Sequence, residues 1–498
     1  MSENSTRDIN KQIIKGSAWT ISFRVIEKFV SIISTIILAR LLVPEDFGIV
    51  AIAMMVVALM ELMRAFGFES ALIQNQSAND DHYNTVWTFN IVAALVIAIA
   101  VYLSAPLFAN FFEEPALTNV LRVLAISVLL SGFENVGIIN FRKDLKFNKD
   151  FNYMVVKRLI SFSVTISLAV ILRNYWALII GTVITKFLVV SYSYIIHPYK
   201  PKLSLRKTRE LSSFSFWLFI NNLLLFAIHK VPQAIIGKLG GSSQLGLFSL
   251  SRDITYATTT AIVMPINRAA FPGYSKLSHD GKALKDSLLG TLGVIALIIT
   301  PAAAGISAIA PLMVPVVLGE KWLEAIPIMQ ILAFSGLFFA LANVNAVYLA
   351  LGRPFIIARI SLFRLCVYLP TMVIATREYG VVGAAWSLLM TGILILPATY
   401  TPIAKILGIR IREFTALFAR PAISALIMYA VTHEFLDYLP NDLQAPYKLI
   451  WLVFLIAFGA VLYVTSVIGL WFASGKPVSA EFHIFESLKQ RRLFSKSP

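Results

Sequence analysis

The sequence predicts an all-α integral membrane protein with about 14 transmembrane helices, arranged as two parallel-repeat six-helix lobes around a central cavity plus two extra C-terminal helices. Three observations lead to this fold class. The chain of 498 residues is 58% hydrophobic and only 14% charged, with a mean hydropathy of +0.76. Apolar segments of about 20 residues, long enough to cross a bilayer as helices, recur along the chain. The sequence also contains a weak internal repeat.

Each predicted span is an apolar run, and the polar connections between runs are too short to hold a soluble catalytic domain. The first run is too long and too charged to be a removable signal peptide, so we expect it to stay as a membrane helix. The predicted ranges are 16–39, 47–72, 85–109, 117–139, 151–172, 176–196, 213–236, 245–270, 286–309, 325–350, 355–375, 381–404, 414–435 and 447–472.

Basic residues outside the spans predict the orientation in the membrane. They concentrate in the amino terminus (1–15), the 140–150 loop, the 198–212 linker and the tail (473–498), whereas the alternate connections carry few. By the positive-inside rule both termini are predicted to be cytoplasmic. This placement also accounts for the net charge of +16 and argues against nucleic acid as a partner. The tail is expected to form an amphipathic helix on the membrane surface, with a disordered tail as the alternative.

The internal repeat appears when the sequence is shifted by 198 positions. Gly48 then falls on Gly246, and Arg40 falls on Lys238. The shift superposes the first two spans on the seventh and eighth in the same orientation, which is the pattern of parallel transporter halves. Identities this few also arise by chance, and that alternative stays open. The predicted domains are an N-lobe (16–197), a cytoplasmic linker (198–212), a C-lobe (213–404) and two further spans (414–472).

Ionisable residues inside the spans are the candidate functional groups. Each costs on the order of 3 kcal/mol near the centre of a membrane helix, so such groups usually face a bundle interior or a hydrated cavity. Basic residues outnumber acidic ones among them, which suits an anionic passenger. The candidate substrate-binding residues are Arg24, Lys28, Arg64, Lys186, Asn222, Lys230, Arg252 and Arg364. The candidate coupling groups or charge partners are Glu27, Glu61, Glu134, His229 and Asp253.

Plainer interpretations of these residues stay open. Glu61 and Arg64 lie one helical turn apart and could form a purely structural pair. Lys157, Arg268 and Arg359 lie near predicted cytoplasmic ends, where we expect them to extend to the headgroups. Each acid and His229 could make an ordinary interhelical hydrogen bond.

Other classes of site find little support in the sequence. No Gly-rich phosphate loop ends in Lys-Ser or Lys-Thr, so we expect no ATP site on this chain. The single cysteine, Cys366, excludes a disulfide within the chain and a metal–thiolate cluster. We expect no catalytic residues, no cofactor and no metal, and therefore a protein that is not an enzyme.

Three motifs are similar to those of a known family. They are LARLLVPEDFG (Leu38–Gly48), MPINRAAFPGYSKL (Met264–Leu277) and LALGRP (Leu349–Pro354). Their order and span positions resemble the polysaccharide transporter family, the Wzx-type O-antigen and colanic-acid exporters of the multidrug/oligosaccharidyl-lipid/polysaccharide (MOP) superfamily. The resemblance runs from about Gly16 to Ile411. The sequence departs from the family pattern at two places: Val43 is often Gly in such loops, and Ala269-Ala270 replaces bulkier pairs. These differences leave the resemblance to the family intact but leave the substrate open.

The resemblance implies a flippase of the bacterial inner membrane. Such a protein would move an undecaprenyl-pyrophosphate-linked oligosaccharide from the cytoplasmic to the periplasmic leaflet by alternating access. Its expected partners are that lipid-linked oligosaccharide, membrane lipids and other polysaccharide-assembly proteins, and a monomer is expected.

Three alternatives come from other classes of protein. A cation-coupled multidrug exporter of the same fold is the nearest, and an acidic rather than basic excess in the cavity would favour it. A membrane glycosyltransferase or polymerase would need functional groups on sizeable external loops, but Glu45 and Asp46 lie in a short turn. A membrane scaffold without transport would not need so many charged residues within the membrane, where each one is energetically costly.

Overall fold

The computed structural model describes residues 3–62, 72–73, 77–207, 215–438, 440 and 444–476, and the regular elements within them are helices. This confirms the all-α class. The helices are α1 (Glu3–Leu41), α2 (Pro44–Glu61), α3 (Asp80–Phe112), α4 (Ala116–Ser131), α5 (Ile139–Lys143), α6 (Phe147–Leu172), α7 (Trp176–Ile196), α8 (Ser215–Leu277), α9 (Gly281–Met313), α10 (Ala325–Leu341), α11 (Asn345–Ala350), α12 (Pro354–Leu407), α13 (Ile411–Asp437) and α14 (Ala445–Ala473).

Many of these helices are long and apolar enough to cross a membrane. Within the described residues there are eight such helices, and a ninth span is obtained if Ala116–Ser131 and Val136–Lys143, which meet at 61°, form one broken helix. The chain is therefore a multi-pass membrane protein. Helix α1 is not among the eight, because Arg24, Glu27 and Lys28 lie within its apolar stretch. The number of crossings and the layout of the lobes stay predictions.

Two of the longest helices each contain one glycine with a positive φ. Gly241 in α8 has φ +76°, and Gly380 in α12 has φ +59°. Glycine adopts such angles without steric cost because it has no Cβ. Each glycine falls between two ranges that the sequence predicts as separate spans, so a single residue, rather than a longer connection, separates the two segments.

The chain divides into two compact units, Met1–Ser249 and Leu250–Pro498. In the first unit, α3 packs on α4, while α6 packs on both α1 and α7. In the second unit, α9 packs on α10 and α13, and α10 packs on α12. Helices α13 and α14, predicted as an addition to the lobes, bury Met428 and Tyr463 against Ala304 of α9. The boundary between units falls inside α8, and the lobe boundary at the 198–212 linker stays a prediction.

Candidate functional site

A cluster of arginines and aromatic side chains forms where three helices of the second unit meet, and we call it the arginine–aromatic cluster. Two of these helices each contribute an arginine and a tyrosine four residues apart, a spacing that places both on one face of a helix. The members are Arg252 and Tyr256 on α8, Ser335 and Phe339 on α10, and Arg364 and Tyr368 on α12.

The contacts within this cluster are close. The guanidinium carbon of Arg364 lies 4.1 Å from the centroid of the Phe339 ring, a cation–π distance. The Tyr256 hydroxyl lies 3.0 Å from Ser335 Oγ, and its ring lies 6.3 Å from that of Phe339. Arg252 and Arg364 both lie near enough to the hydroxyl of Tyr256 to interact with it electrostatically. Two positive charges therefore lie in the neighbourhood of the Tyr256 and Ser335 hydroxyls.

Arg364 is the most informative member of the cluster. Its Nε is buried and has no hydrogen-bond partner. In the part of the chain that the structure describes, no carboxylate forms an ion pair with its guanidinium. A charge removed from water without such a partner is costly, whereas an anionic ligand could accept charge-assisted hydrogen bonds from it. Arg364 lies about 15 Å along α12 from Pro354, near mid-depth for a helix that spans the bilayer.

A second polar network lies in the first unit, at the bend between α4 and α5. Glu134 Oε1 accepts hydrogen bonds from the Tyr153 hydroxyl at 2.6 Å and from Lys157 Nζ at 3.4 Å. Lys186 on α7 interacts electrostatically with the same carboxylate. The charges of two ammonium groups thus act on one carboxylate. The bend brings Glu134 within reach of Lys157, whose side chain is still 41% exposed, and the expectation that Lys157 extends to the headgroups stays a prediction.

The first helix carries a local ion pair. Arg24 Nη1 lies 3.3 Å from Glu27 Oε2, with exposed side-chain fractions of 61% and 39%. Lys28 on the same helix is half-buried. Because Glu27 offsets the charge of Arg24, this stripe is less cationic than its basic residues alone suggest. A cavity-lining role for these side chains stays a prediction.

The remaining sequence candidates are dispersed. Glu61 and Lys230 are half-buried, whereas His229 and Asp253 are exposed, and all four interact with neighbouring groups. Arg64 and the side chain of Asn222 lie outside the described residues. Across the described chain, no group of three His, Cys, Asp or Glu side chains is arranged to hold a metal ion.

Sequence reasoning identified both arginines of the cluster but missed its aromatic members. One signal was available, since Arg252–Tyr256 and Arg364–Tyr368 repeat the same Arg-x-x-x-Tyr spacing. Nothing in the sequence marked Phe339 or Ser335, because their role depends on how α10 packs against the other two helices. Tyr153 was likewise overlooked beside Glu134.

The start of α2 and the middle of α8 come into backbone contact within the first unit. A Cβ on Gly48 would overlap the backbone carbonyl of Ser242, and one on Gly246 would overlap that of Pro44. Beside this contact, Lys238 Nζ lies 2.6 Å from Glu113 Oε1 at the end of α3. Residues of α8 before Ser249 are therefore held by elements of the first unit.

Comparison with known proteins identifies the family. Residues 37–327, more than half of the chain, match the family model described as polysaccharide biosynthesis protein. The chain belongs to this family. Among the relatives of this chain is "Lipopolysaccharide biosynthesis protein WzxC" of Escherichia coli, 23% identical and covering 82% of this chain and 84% of the relative. Another is "Succinoglycan biosynthesis transport protein ExoT" of Rhizobium meliloti, 22% identical over 92% of this chain and 93% of the relative.

Solved structures place this family member in a known fold. The lipid II flippase MurJ, in an inward closed conformation, aligns with a TM-score of 0.71, covering 92% of this chain and 99% of MurJ at 14% identity. An inward-facing MATE multidrug transporter of the MOP superfamily aligns with a TM-score of 0.53, covering 77% of this chain and 96% of the transporter, also at 14% identity. At these identities the likeness concerns the fold alone, and it confirms that the fold is similar to those of MurJ and the MATE transporter.

Proposed function

We propose that this protein is a flippase that moves an undecaprenyl-pyrophosphate-linked oligosaccharide from the cytoplasmic to the periplasmic leaflet of a bacterial inner membrane, with both termini in the cytoplasm. The observation that carries the proposal is membership of the polysaccharide biosynthesis protein family, whose model matches residues 37–327, and the MurJ-like fold over 92% of the chain is compatible with it. Relatives named for lipopolysaccharide and succinoglycan biosynthesis support a passenger of the same class.

The arginine–aromatic cluster suits the chemistry of such a passenger. A diphosphate bearing sugars is too polar to cross hydrocarbon unaided, and it offers several anionic oxygens. The planar guanidinium of arginine can donate two parallel hydrogen bonds to a phosphate. Arg364 and Arg252 both interact electrostatically with the Tyr256 hydroxyl, and we infer that the two arginines bind the same diphosphate. We assign the diphosphate to these two arginines in the second unit.

Translocation by alternating access requires an end of the protein that can close and open. The contact of Gly48 and Gly246 with facing backbone supports a closed end at this position, which the predicted orientation places on the periplasmic side. Gly241 lies beside it and accepts a positive φ, so it is a suitable hinge for α8. Opening would separate α2 from α8 and break the ion pair between Lys238 and Glu113.

A cation-coupled multidrug exporter is the alternative, and the likeness to the MATE transporter supports it. The two functions differ in the charge that they need in the membrane interior. A cationic drug would be held by carboxylates, but the cluster contains the buried guanidinium of Arg364, which forms no ion pair with a carboxylate of the described residues. The flippase is therefore the better match.

Two cellular assays separate these functions. The gene is deleted in its host, and surface polysaccharide and efflux of a cationic dye such as ethidium are both measured. The flippase proposal predicts that polysaccharide is lost while dye efflux is unchanged, and that the intact gene restores the polysaccharide. Lost efflux with normal polysaccharide would instead establish the exporter.

A further inference from the structure

Residues 197–207 follow α7 and run across the first turns of α3, and we call this segment the strap. Backbone N–H groups of the strap donate to polar side chains of α3. That of Lys202 donates to Asn84 Oδ1 at 2.7 Å, and that of Ser204 donates to Thr88 Oγ1 at 2.9 Å. Because Asn84 and Thr88 lie four residues apart, one face of α3 holds the strap.

The beginning of the strap is fixed as firmly. Asn135, which is only 1% exposed, donates through Nδ2 to the carbonyl oxygens of His197 at 3.2 Å and Tyr199 at 3.0 Å. The Tyr199 hydroxyl donates to Asn84 Oδ1 at 2.6 Å. Polar groups of the strap backbone are thus satisfied on the side that faces the protein, and its conformation is set without help from outside.

The opposite side of the strap combines basic and apolar side chains. Lys200, Lys202 and Arg206 are exposed, while Leu203 is 76% exposed and Leu205 is 58% exposed. Exposing two leucine side chains to this extent is unfavourable in water. Exposed apolar side chains among lysines and arginines are typical of segments that lie in the headgroup region of a membrane.

A second basic segment lies beside the strap. Lys143 Nζ lies 5.8 Å from the centroid of the Tyr83 ring, and that ring lies 5.8 Å from the ring of Tyr199 in the strap. Lys149 lies near enough to His197 to interact with it electrostatically. Two basic segments that are separate in sequence, 140–150 and the strap, therefore form one continuous surface.

An aromatic pair marks the same end of the unit. Trp87 Nε1 donates to the Tyr194 hydroxyl at 3.1 Å. Tryptophan and tyrosine are enriched where a membrane meets water, because their rings are apolar and their polar atoms can stay hydrated. This pair lies on α3 and α7, just before the strap, so we expect the strap at the depth of the headgroups.

We propose that this surface binds the anionic phospholipid headgroups of the membrane, with Leu203 and Leu205 inserted between the lipids and the lysines of the strap contacting phosphates. Basic clusters next to membrane helices recognise anionic lipids in this way. The strap is already ordered by α3, so little conformational entropy is lost on binding. The inference concerns the membrane around the protein and does not depend on what the protein transports.

The test places a dye on the strap of the full-length protein. Cys366 is replaced by serine, and Leu203→Cys is labelled with the environment-sensitive fluorophore NBD. The labelled protein is reconstituted in vesicles of phosphatidylcholine alone and of phosphatidylcholine with phosphatidylglycerol. Emission wavelength and quenching by nitroxide-labelled lipids report whether the dye lies in the bilayer. Lys282→Cys, exposed at the start of α9 in the other unit, is the control position.

The proposal predicts blue-shifted, lipid-quenched emission at position 203 in the anionic vesicles, weaker insertion in the neutral ones, and aqueous emission at position 282 in both. Replacing Lys200 and Lys202 with glutamine should lower the ratio of membrane-inserted to water-exposed strap by about fivefold per lysine. The matched pair Lys276→Gln and Lys282→Gln should leave it unchanged. Aqueous emission at position 203 in both vesicles, equal insertion in both, or equal effects of the two lysine pairs would overturn the proposal.

Discussion

Gly48 and Gly246, which the internal repeat pairs with each other, are neighbours in the folded chain. A Cβ on Gly246 would lie 3.0 Å from the backbone nitrogen of Gly48 and would overlap the carbonyl oxygen of Pro44. The two helices can approach this closely only because neither position has a side chain. Equivalent residues of two repeats that meet each other are expected near the axis that relates them, so this contact supports the repeat predicted from sequence.

The first prediction concerns this contact. Gly246→Ala should lower the midpoint of thermal unfolding, because the new methyl group overpacks the interface at a cost of about 1–3 kcal/mol. Proteoliposome transport should also fall, because α2 and α8 could no longer close on each other. Gly290→Ala is the control, since nothing lies within 4 Å of its Cβ position and alanine favours a helix by up to about 1 kcal/mol over glycine. Equal midpoints for the two variants would contradict the argument.

The ion pair beside the contact gives the second prediction. Glu113→Lys should reduce transport through repulsion of Lys238, and adding Lys238→Glu should restore it. The effect on stability should be small and should vanish at high salt, because Glu113 is 79% exposed. A double variant no better than Glu113→Lys would show that the pair has no role.

The pH dependence of this pair follows from the same contact. The hydrogen bond and charge of Lys238 lower the pKa of Glu113 below its ordinary value of 4.5. A carboxyl whose pKa is lower in the folded protein stabilises the fold fully at pH values above its unfolded pKa. This stabilisation is lost as the pH falls through the pKa of the folded state. The pair is therefore fully formed near neutral pH, and transport should not change with pH in that range through titration of Glu113.

The third prediction concerns Arg364. Arg364→Lys keeps a positive charge but loses the planar group that stacks on Phe339, so binding of an undecaprenyl-pyrophosphate oligosaccharide should weaken by about 10-fold to 100-fold. Binding is measured by fluorescence titration of the purified protein. Arg377→Lys, on an exposed position of the same helix, should bind as the unmodified protein does. Unchanged affinity in Arg364→Lys would remove the arginine–aromatic cluster from the proposed site.

The fourth prediction concerns His197 in the strap. Burial and the charges of Lys146 and Lys149 lower the pKa of His197, and Asp144 opposes this. Its Nδ1 accepts the backbone N–H of Tyr199 at 3.2 Å, and a proton there would break that bond. A free strap takes up the proton more readily than a docked one, so docking should weaken as the pH falls below the ordinary value of 6.5.

Amide hydrogen exchange measures this effect. After correction for the intrinsic rate, exchange in residues 198–207 should be faster at about pH 5.5 than at about pH 7.5. His197→Asn should abolish the difference, whereas His279→Asn, an exposed histidine, should retain it. Equal protection at both pH values in the unmodified protein would refute the mechanism.

The sequence anticipated the helices better than the contacts among them. Apolar runs of bilayer length predict where helices lie, because each run must bury its backbone hydrogen bonds within itself. The same runs do not specify that a single residue, Gly241 or Gly380, would separate two segments. Lys157 shows a further limit, because its partner Glu134 reaches it only through a bend in the chain between α4 and α5.

Only part of the candidate site could be predicted, because the sequence shows which residues are charged but not which side chains they contact. Charges inside apolar runs are costly, so Arg252 and Arg364 could be selected from sequence alone. Phe339 could not, since one phenylalanine among many is marked only by the guanidinium that stacks on it. The strap was likewise visible as a basic linker, but its hydrogen bonds to Asn84 and Thr88 depend on the folded chain.

The central claim is that arginines of the second unit carry an anionic lipid-linked sugar across the membrane. The most direct test reconstitutes the purified protein in vesicles with a fluorescent undecaprenyl-pyrophosphate oligosaccharide and measures how fast the label becomes accessible to a membrane-impermeant quencher. We expect rapid exposure with the unmodified protein and a loss of about 100-fold or more when Arg252 and Arg364 are both replaced by glutamine. Equal rates for the two proteins, or no rate above that of empty vesicles, would contradict the claim.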